Sequence, residues 1–310
     1  SSDLIHIPTS CRKQGKCKEC LVEVAEGMAH LSAHTEAEKH LKGNFRLSCC
    51  THIAAEAGTI HCHTMRRGEM KIERHALNLP SQEGLKPDPA VTRDGDRILL
   101  EGVEIDRSSA PIHGLAMDLG TTTVVLRLLN LETGEIAADA SFENPQRFGG
   151  SDVMARIHYD SLDGTHLLQR TLAGYLTHAI EEFGVDPKSI YELVVAGNST
   201  MRDLFFLLNV HSIGQSPYHS VTEVELAEGR RNSTSLTESA RRLGLPLHPK
   251  ARVYGMPIIS GHVGADAAAC MLALDLANEE RLVAVMDIGT NTELIVGNRH
   301  KLFAASCPAG

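Results

Sequence analysis

Four cysteines in the first fifty residues have the type and spacing of metal ligands. Cys11, Cys17 and Cys20 stand close together, and Cys49 follows after a longer gap. The first three lie among arginine, lysine and glutamate residues, which is not a core environment. Structural zinc usually takes cysteines in Cys-x2-Cys pairs, and only Cys17 with Cys20 forms a clear one. Three thiolates on one loop with a remote fourth are instead typical of an iron–sulfur cluster.

The cysteine loop at residues 11–20 resembles that of plant-type [2Fe–2S] ferredoxins, with the longer first gap of their adrenodoxin-like branch. Gly15 allows the tight path that such a loop takes while its amides point at the sulfurs. In those proteins an Arg-Leu-small-Cys stretch supplies the fourth ligand, and residues 46–49 match it. The resemblance implies a [2Fe–2S] cluster held by Cys11, Cys17, Cys20 and Cys49, with Cys50 as the alternative to Cys49.

The same resemblance implies a β-grasp ferredoxin-like domain of α+β class over residues 1–77. The residue pattern predicts strands at 21–24 and 58–63 and a short helix at 32–41. The hairpin that begins such ferredoxins is missing before the first cysteine, so we expect the chain to lack its start. His61 and His63 flank Cys62, but in a strand the two histidines face one side and the cysteine the other. This alternation favours a strand over a second metal site.

Charge is unevenly distributed along the 310 residues. The net charge is −9, but residues 1–75 carry 11 basic and 9 acidic side chains, so the remainder holds −11. An acidic main body argues against nucleic acid as a partner. No apolar run approaches the roughly 18 residues of a membrane helix, which predicts a cytoplasmic protein. The basic residues of the cysteine loop suit either an acidic redox partner or partial compensation of an anionic cluster, and both interpretations stay open.

A duplicated motif follows a proline-punctuated polar stretch, residues 78–113, that is predicted to be a linker. Met-Asp-(Leu/Ile)-Gly-Thr-x-Thr occurs twice, with its aspartates at Asp118 and Asp287. Each copy predicts two strands joined by a tight turn, in which glycine allows close backbone approach and successive amides form an anion nest. An aspartate at the end of a strand can hold hydrated Mg²⁺ or orient an attacking water. The two copies together predict a clamp for nucleotide phosphates.

These turns resemble the phosphate-1 and phosphate-2 motifs of the superfamily of actin, sugar kinases and heat-shock chaperones. The resemblance implies an α/β chain with an actin-like (ribonuclease H-like) two-lobed ATPase fold. The first lobe would cover 114–250, the second would begin at 251–310, and the adenosine motif would lie beyond residue 310, so we expect truncation there too. Asp118 and Asp287 would face each other across ATP and Mg²⁺. The implied phosphate contacts are Gly120, Thr121, Thr122, Gly289, Thr290, Asn291 and Thr292.

The stretch between the two motifs predicts further helices and two ambiguous polar turns. Helices are expected from residue 151, with Asp152 in the first turn, and at 166–183 and 235–243. The Gly-Asn-Ser-Thr turn at 197–200 suits an anion site or an ordinary helix cap equally well. Asp266 stands where the superfamily places an acid near the nucleotide's Mg²⁺, and a plain acid at a helix start is the alternative.

A [2Fe–2S] domain followed by a linker and ATPase lobes resembles the reductive activators of corrinoid-dependent enzymes. The resemblance implies that the cluster, reduced by a low-potential donor, passes one electron to a corrinoid protein of a methyltransferase system, returning Co(II) to Co(I) with ATP. Two other functions stay open. One is an electron carrier or redox sensor whose nucleotide domain does not hydrolyse ATP, and the other is a phosphotransferase with a regulatory cluster. The sequence does not identify the donor or the methyltransferase system, and it leaves homodimer formation open.

Overall fold

The computed structural model describes residues 7, 15, 20–55, 58–65 and 89–308. Two of the predicted cluster ligands, Cys11 and Cys17, lie outside the described residues. Within the described part of the chain, no helix combines the length and the apolar character needed to cross a membrane.

The N-terminal part contains a three-stranded antiparallel sheet in the order β2-β1-β3. Its strands are β1 (Leu21–Glu26), β2 (Phe45–Leu47) and β3 (His61–Thr64). The predicted strands at 21–24 and 58–63 are confirmed in this form, but the helix predicted at 32–41 is wrong. Its place is taken by a single 3-10 turn, Glu36–Glu38, which Thr35 begins with a capping box.

The extended path of this segment follows from one buried ion pair. Glu38 and Arg46 are both almost completely buried, and the Arg46 Nε donates to Glu38 Oε1 at 2.9 Å. Burial alone would raise the pKa of Glu38, but hydrogen bonds from Arg46, Thr35 and the Leu47 amide lower it to about 2. The carboxylate therefore ties residue 35 and strand β2 together.

A second small antiparallel sheet lies inside the range predicted to be a linker. It consists of β4 (Val91–Asp94), β5 (Arg97–Leu100) and β6 (Val103–Arg107). Val91, Ile98 and Ile105 form its core together with Tyr191 of the following domain. The Tyr191 hydroxyl also donates to Asp106 at 2.6 Å. The segment after residue 90 is thus packed onto the next domain.

The central domain is built on a six-stranded mixed sheet in the order β11-β12-β10-β7-β8-β9. Strand β7 pairs antiparallel with β8 and parallel with β10. The strands are β7 (His113–Leu119), β8 (Thr123–Asn130), β9 (Ile136–Glu143), β10 (Ile190–Gly197), β11 (Leu236–Ser239) and β12 (Arg252–Gly255). The helices are α1 (Val153–Leu162), α2 (Leu167–Glu181), α3 (Ser199–Phe205) and α4 (Val221–Ala227). A 3-10 turn, Pro145–Gly149, follows β9 and is called the 145–149 turn below.

Two helix predictions for this domain are confirmed and one is wrong. Asp152 caps α1 by accepting from the Ala155 amide at 2.9 Å, and α2 occupies most of the predicted range 166–183. Residues 235–243 were expected to be a helix, but β11 begins there. Leu236 pairs with Gly255 at the edge of the sheet and is buried, so tertiary pairing overrides the local helical pattern.

The last described part consists of α5 (Ala265–Ala273) and an antiparallel sheet, β13-β14-β15. Its strands are β13 (Val283–Ile288), β14 (Asn291–Asn298) and β15 (Lys301–Pro308). Ile295 and Val285 on one face pack in a small core with residues of α5, including Ala267. The other face is apolar and exposed, with Met286 and Phe303 among its residues.

One hydrophobic core joins the N-terminal sheet to the central domain. Cys20, Leu21, Leu47 and Met65 belong to the same buried cluster as the strands and helices of the central sheet. The 145–149 turn lies at this junction, where the ring of Phe148 meets that of His40 edge-on at 5.9 Å between centroids. The two parts therefore pack as neighbours rather than as separate bodies.

Candidate phosphate-binding cleft and cluster loop

The two copies of the repeated motif meet at one cavity of about 690 Å³. The cavity lies between the carboxyl ends of strands β7 and β10 in the central sheet, the start of α5 and the β13–β14 hairpin. All but one of the predicted nucleotide residues border it: Asp118, Gly120, Thr121, Thr122, Asp266, Asp287, Gly289, Thr290 and Asn291. Thr292 is the exception, and it pairs with Ile288 and Cys307 within the sheet instead.

The first turn is closed by its own backbone. The Gly120 amide donates to the Thr123 carbonyl at 2.9 Å. A Cβ on residue 120 would lie 2.6 Å from that carbonyl oxygen, so a side chain cannot enter without moving the backbone. Glycine at position 120 is therefore required for a specific steric reason.

The second turn has the same sequence pattern but is one residue tighter. Leu119 pairs with Val124 across the first turn, whereas Ile288 pairs with Thr292 across the second. The tips of the two turns touch, because the hydroxyl oxygens of Thr122 and Thr290 are 2.9 Å apart. The turns thus face each other across one end of the cavity.

Carboxylates converge on this cavity from both sides. Burial raises the pKa of Asp118, and the charge of Asp287 raises it further. Burial also raises the pKa of Asp266 to about 7, with an opposing hydrogen bond from the Ala267 amide and further increases from Glu293 and both motif aspartates. Negative oxygen donors that repel one another in this way are the ligands that Mg²⁺ takes, so the residues present fit a Mg²⁺–phosphate group.

Glu293 is a cavity residue that the sequence analysis did not single out. It is almost completely buried, accepts from Ser306 at 2.8 Å, and its pKa is raised by burial and by Asp287. The signal was in the repeat itself, because the second copy has glutamate at the position where the first has Val124. A charged residue in a core position of a repeat indicates a local function.

The Gly-Asn-Ser-Thr turn at 197–200 is a helix cap. The Asn198 side-chain oxygen accepts from the Met201 amide at 2.9 Å, while its nitrogen donates to the Thr121 hydroxyl at 2.9 Å. Gly264, just before α5, packs directly on this turn, since a Cβ there would lie 2.5 Å from the Asn198 Cα. The cap therefore also connects the first turn to the helix that carries Asp266.

The described half of the cluster loop brings two thiols together. Cys20 is buried at the start of β1, and the Ser48 amide donates to its carbonyl at 2.9 Å. Burial, followed by the neighbouring Cys20 thiol, raises the pKa of Cys49 to about 11, while a Gly15 backbone hydrogen bond opposes this increase. The thiols of Cys20 and Cys49 are neighbours, and a backbone amide is directed at the Cys49 sulfur, which fits a metal cluster that would hold both as thiolates.

The other candidate metal ligands in the N-terminal part are Cys50 and residues 61–63. The Cys50 sulfur lies 3.6 Å from that of Cys49, and it packs so close to Gly15 that a Cβ there would be 2.6 Å from it. His61, Cys62 and His63 lie on β3, which confirms the predicted strand, and all three are exposed. Among the described residues no group of three or more histidine, cysteine or acidic side chains is arranged to hold a metal ion.

Comparison with known proteins gives matches to both halves of the chain. Residues 1–54 match the 2Fe-2S iron-sulfur cluster binding domain, and residues 113–279 match a family described as the RACo middle region. A solved structure described as a reductive activator for corrinoid, iron-sulfur protein superposes with a TM-score of 0.64 at 23% identity, covering 99% of this chain and 59% of that one. The fold is therefore α/β overall, with an N-terminal [2Fe–2S] ferredoxin-like domain before an actin-like fold.

Two curated proteins are similar over much of this chain. The corrinoid activation enzyme RamQ of Eubacterium limosum is 34% identical over 222 residues, which are 70% of this chain and 35% of that protein. The [Co(II) methylated amine-specific corrinoid protein] reductase of Methanosarcina barkeri is 24% identical over 200 residues, which are 64% of this chain and 36% of that protein. The matched region thus spans about a third of the length of these relatives.

Proposed function

This chain belongs to the family defined by the RACo middle region, and on that premise we propose that it carries out ATP-dependent reductive activation of a corrinoid protein. The substrate is the Co(II) corrinoid of a methyltransferase system, which gains one electron and becomes Co(I). The names of the two curated relatives, a corrinoid activation enzyme and a corrinoid protein reductase, support this reaction class.

The electron reaches the corrinoid through the N-terminal domain. When bound, the [2Fe–2S] cluster supplies one electron at a time after reduction by a low-potential donor. We assign its ligands to Cys11, Cys17, Cys20 and Cys49. The adjacent thiols of Cys20 and Cys49 support this assignment, because an amide from residue 15 is directed at the second of them.

The nucleotide site lies in the cleft between the two motif turns. Amides and hydroxyls of the turns Gly120–Thr122 and Gly289–Asn291 hold the phosphates of ATP, and Thr292 supports the second turn from within the sheet. Asp118 and Asp287 would hold Mg²⁺, and Asp266 would be a further acid near the same ion. The position of Asp266 at the same cavity as both motif aspartates supports this last role.

ATP is needed because Co(I) is a strong reductant, so its formation is uphill from an ordinary ferredoxin. Hydrolysis of ATP to ADP and phosphate in the cleft changes the free energy of the complex with the corrinoid protein and so drives the electron transfer. The observation that carries this proposal is the meeting of both motif turns at one carboxylate-lined cavity, in a chain whose first domain matches a 2Fe-2S module.

The test follows the corrinoid directly. The full-length protein is reduced anaerobically and mixed with a Co(II) corrinoid protein, and the visible spectrum is followed for Co(I) with and without Mg-ATP. We expect Co(I) only with Mg-ATP, and at least a hundredfold slower formation in the Asp118→Asn variant, since one preorganised charge in a site contributes about that factor. Exposed Asp139→Asn, in β9 and outside the cleft, is the matched control.

Other outcomes would replace the proposal. Cluster oxidation that is independent of ATP would indicate an electron carrier with an inactive nucleotide domain. ATP hydrolysis that yields a phosphorylated small molecule would indicate a phosphotransferase. Co(I) formation that is unchanged in Asp118→Asn would remove that residue from the nucleotide site.

A further inference from the structure

Three carbonyls of the first turn, those of residues 120–122, each accept a hydrogen bond from the body of the central domain. Asn144 donates twice, from its side chain to Gly120 at 2.8 Å and from its backbone to Thr122 at 2.7 Å. The Arg156 Nη2 donates to the carbonyl of Thr121 at 2.6 Å. None of these donors was recognisable in the sequence as part of the motif, because Asn144 follows β9 and Arg156 lies in α1.

Fixing these carbonyls also fixes the direction of the amides. In a trans peptide the C=O and N–H bonds point in opposite directions. With the carbonyls of Gly120 and Thr121 held against the protein body, the amides of Thr121 and Thr122 point away from it. Neither amide donates to any of the described residues, and both residues border the cavity. Two consecutive free amides at a cavity form an anion nest.

Arg156 brings a positive charge under the same turn. Its side chain is completely buried, and its hydrogen-bond partners are the carbonyls of Gly150 and Thr121 and the sulfur of Met201, all of them neutral. Within residues 89–308 it forms no ion pair, although the charge of Asp152, the cap of α1, acts on it. Burial lowers its pKa to about 9, so the guanidinium stays charged at neutral pH.

A buried charge without a counter-ion is unfavourable unless a ligand compensates it. A polyphosphate at the amides of Thr121 and Thr122 would do so at close range, since the guanidinium is bonded to the peptide that presents one of these amides. The charge of Arg156 attracts an anion, and the amides of Thr121 and Thr122 can each donate to one of its oxygens. The site therefore suits an anion with several oxygens.

We propose that Asn144 and Arg156 are positioning residues that hold the Gly120–Thr122 turn in its phosphate-accepting geometry and stabilise bound polyphosphate from beneath. This inference rests on the nucleotide site of the proposed function. Neither residue borders the cavity, so both act through the turn rather than by contact with the nucleotide.

The test compares ligands that differ only in their phosphates. Binding of Mg-ATP and of adenosine to the full-length protein is measured by competition against a fluorescent ATP analogue, together with the melting temperature. We expect Arg156→Met to weaken Mg-ATP at least tenfold and adenosine less than twofold. Arg156→Lys should recover part of the Mg-ATP affinity, because the charge remains while the two-pronged bond to residues 121 and 150 is lost.

A second variant keeps one hydrogen bond that the Asn144 side chain makes in its own turn. Asn144→Asp keeps the oxygen that accepts from the Gln146 amide at 2.9 Å but places an acceptor against the Gly120 carbonyl. We expect a loss of Mg-ATP affinity of about tenfold or more. Arg170→Met, the same type of change at an exposed position of α2, is the matched control and should bind both ligands like the parent protein.

The outcomes separate the two levels of the argument. If the parent protein does not bind Mg-ATP, the proposed function itself fails. If the parent binds but Asn144→Asp and Arg156→Met bind Mg-ATP equally well, only the positioning role is overturned. Equal losses for Mg-ATP and adenosine, with a lower melting temperature, would reduce both residues to a structural role and also overturn it.

Discussion

The two hairpins that carry the repeated motif differ in register by one residue. Four residues separate the pair Leu119 and Val124, whereas three separate Ile288 and Thr292. Because side chains alternate between the faces of a strand, a shift of one residue changes which side chains share a face. Met117 therefore lies across from Leu126 in the first hairpin, while its counterpart Met286 lies across from Leu294 in the second.

We attribute the wider first turn to the donors beneath it. Asn144 and Arg156 hold three of its carbonyls, whereas within residues 89–308 the carbonyls of Gly289 and Thr290 accept from no side chain. The comparison teaches that a short motif specifies the hairpin, while its surroundings decide the register.

The surroundings of each hairpin also decide how deeply its side chains are buried. Met117 is 2% exposed and Leu119 is completely buried, but Met286 is 60% and Ile288 76% exposed. The first hairpin lies inside a six-stranded sheet with helices packed on it, while one face of the second is open. Residues at equivalent motif positions thus have unequal roles in stability.

The largest expected difference comes from truncating the two methionines. Met117→Ala should lower the free energy of unfolding by about 3 kcal/mol, because it leaves a cavity in a closed core. Met286→Ala should change it by less than about 0.5 kcal/mol, since the side chain is already in solvent. Urea denaturation of both variants measures the two changes in the free energy of unfolding. Equal changes would mean that the open face of β13 is covered in solution.

Substitution of the two motif glycines should also destabilise the first hairpin more than the second, but the difference should be smaller than for the methionines. A Cβ on Gly120 would lie 2.6 Å from a carbonyl oxygen, against 3.2 Å for Gly289. Gly120→Ala should therefore destabilise by about 2 kcal/mol and Gly289→Ala by less than about 1 kcal/mol. Thermal unfolding and Mg-ATP affinity are the measurements. A larger effect at residue 289 would contradict the difference in turn geometry.

The smallest effect concerns pH and the carboxylates that the two hairpins bring together. The pKa of Asp266 is raised from 3.8 to about 7, so its contribution to stability is complete below pH 4 and is lost as the pH rises through 7. Without Mg²⁺ the protein should lose about 1–2 kcal/mol over this interval, since water in the open cleft screens the repulsion. Asp266→Asn should remove this dependence. Mg²⁺ should weaken it in the parent protein only, and a profile unchanged by the substitution would assign the loss to other groups.

The site could be predicted from the sequence as far as its local motifs extend. The repeat placed Asp118 and Asp287 at one cavity because each motif carries its own turn and strand. Asn144 and Arg156 could not be found in this way, since each reaches the turn only through the packing of β9 and α1. The edge strand at Leu236 was missed for the same reason, because its pairing partner in β12 is remote in sequence.

The continuous core between the N-terminal sheet and the central domain has a consequence for the lifetime of the protein. Elements that share one core unfold together, and a group that binds only the folded state stabilises the whole of it. Loss of iron from the first domain would then lower the melting temperature of the nucleotide cleft as well. A cell short of iron would then hold fewer folded copies of the whole chain, because copies that unfold are degraded by proteases.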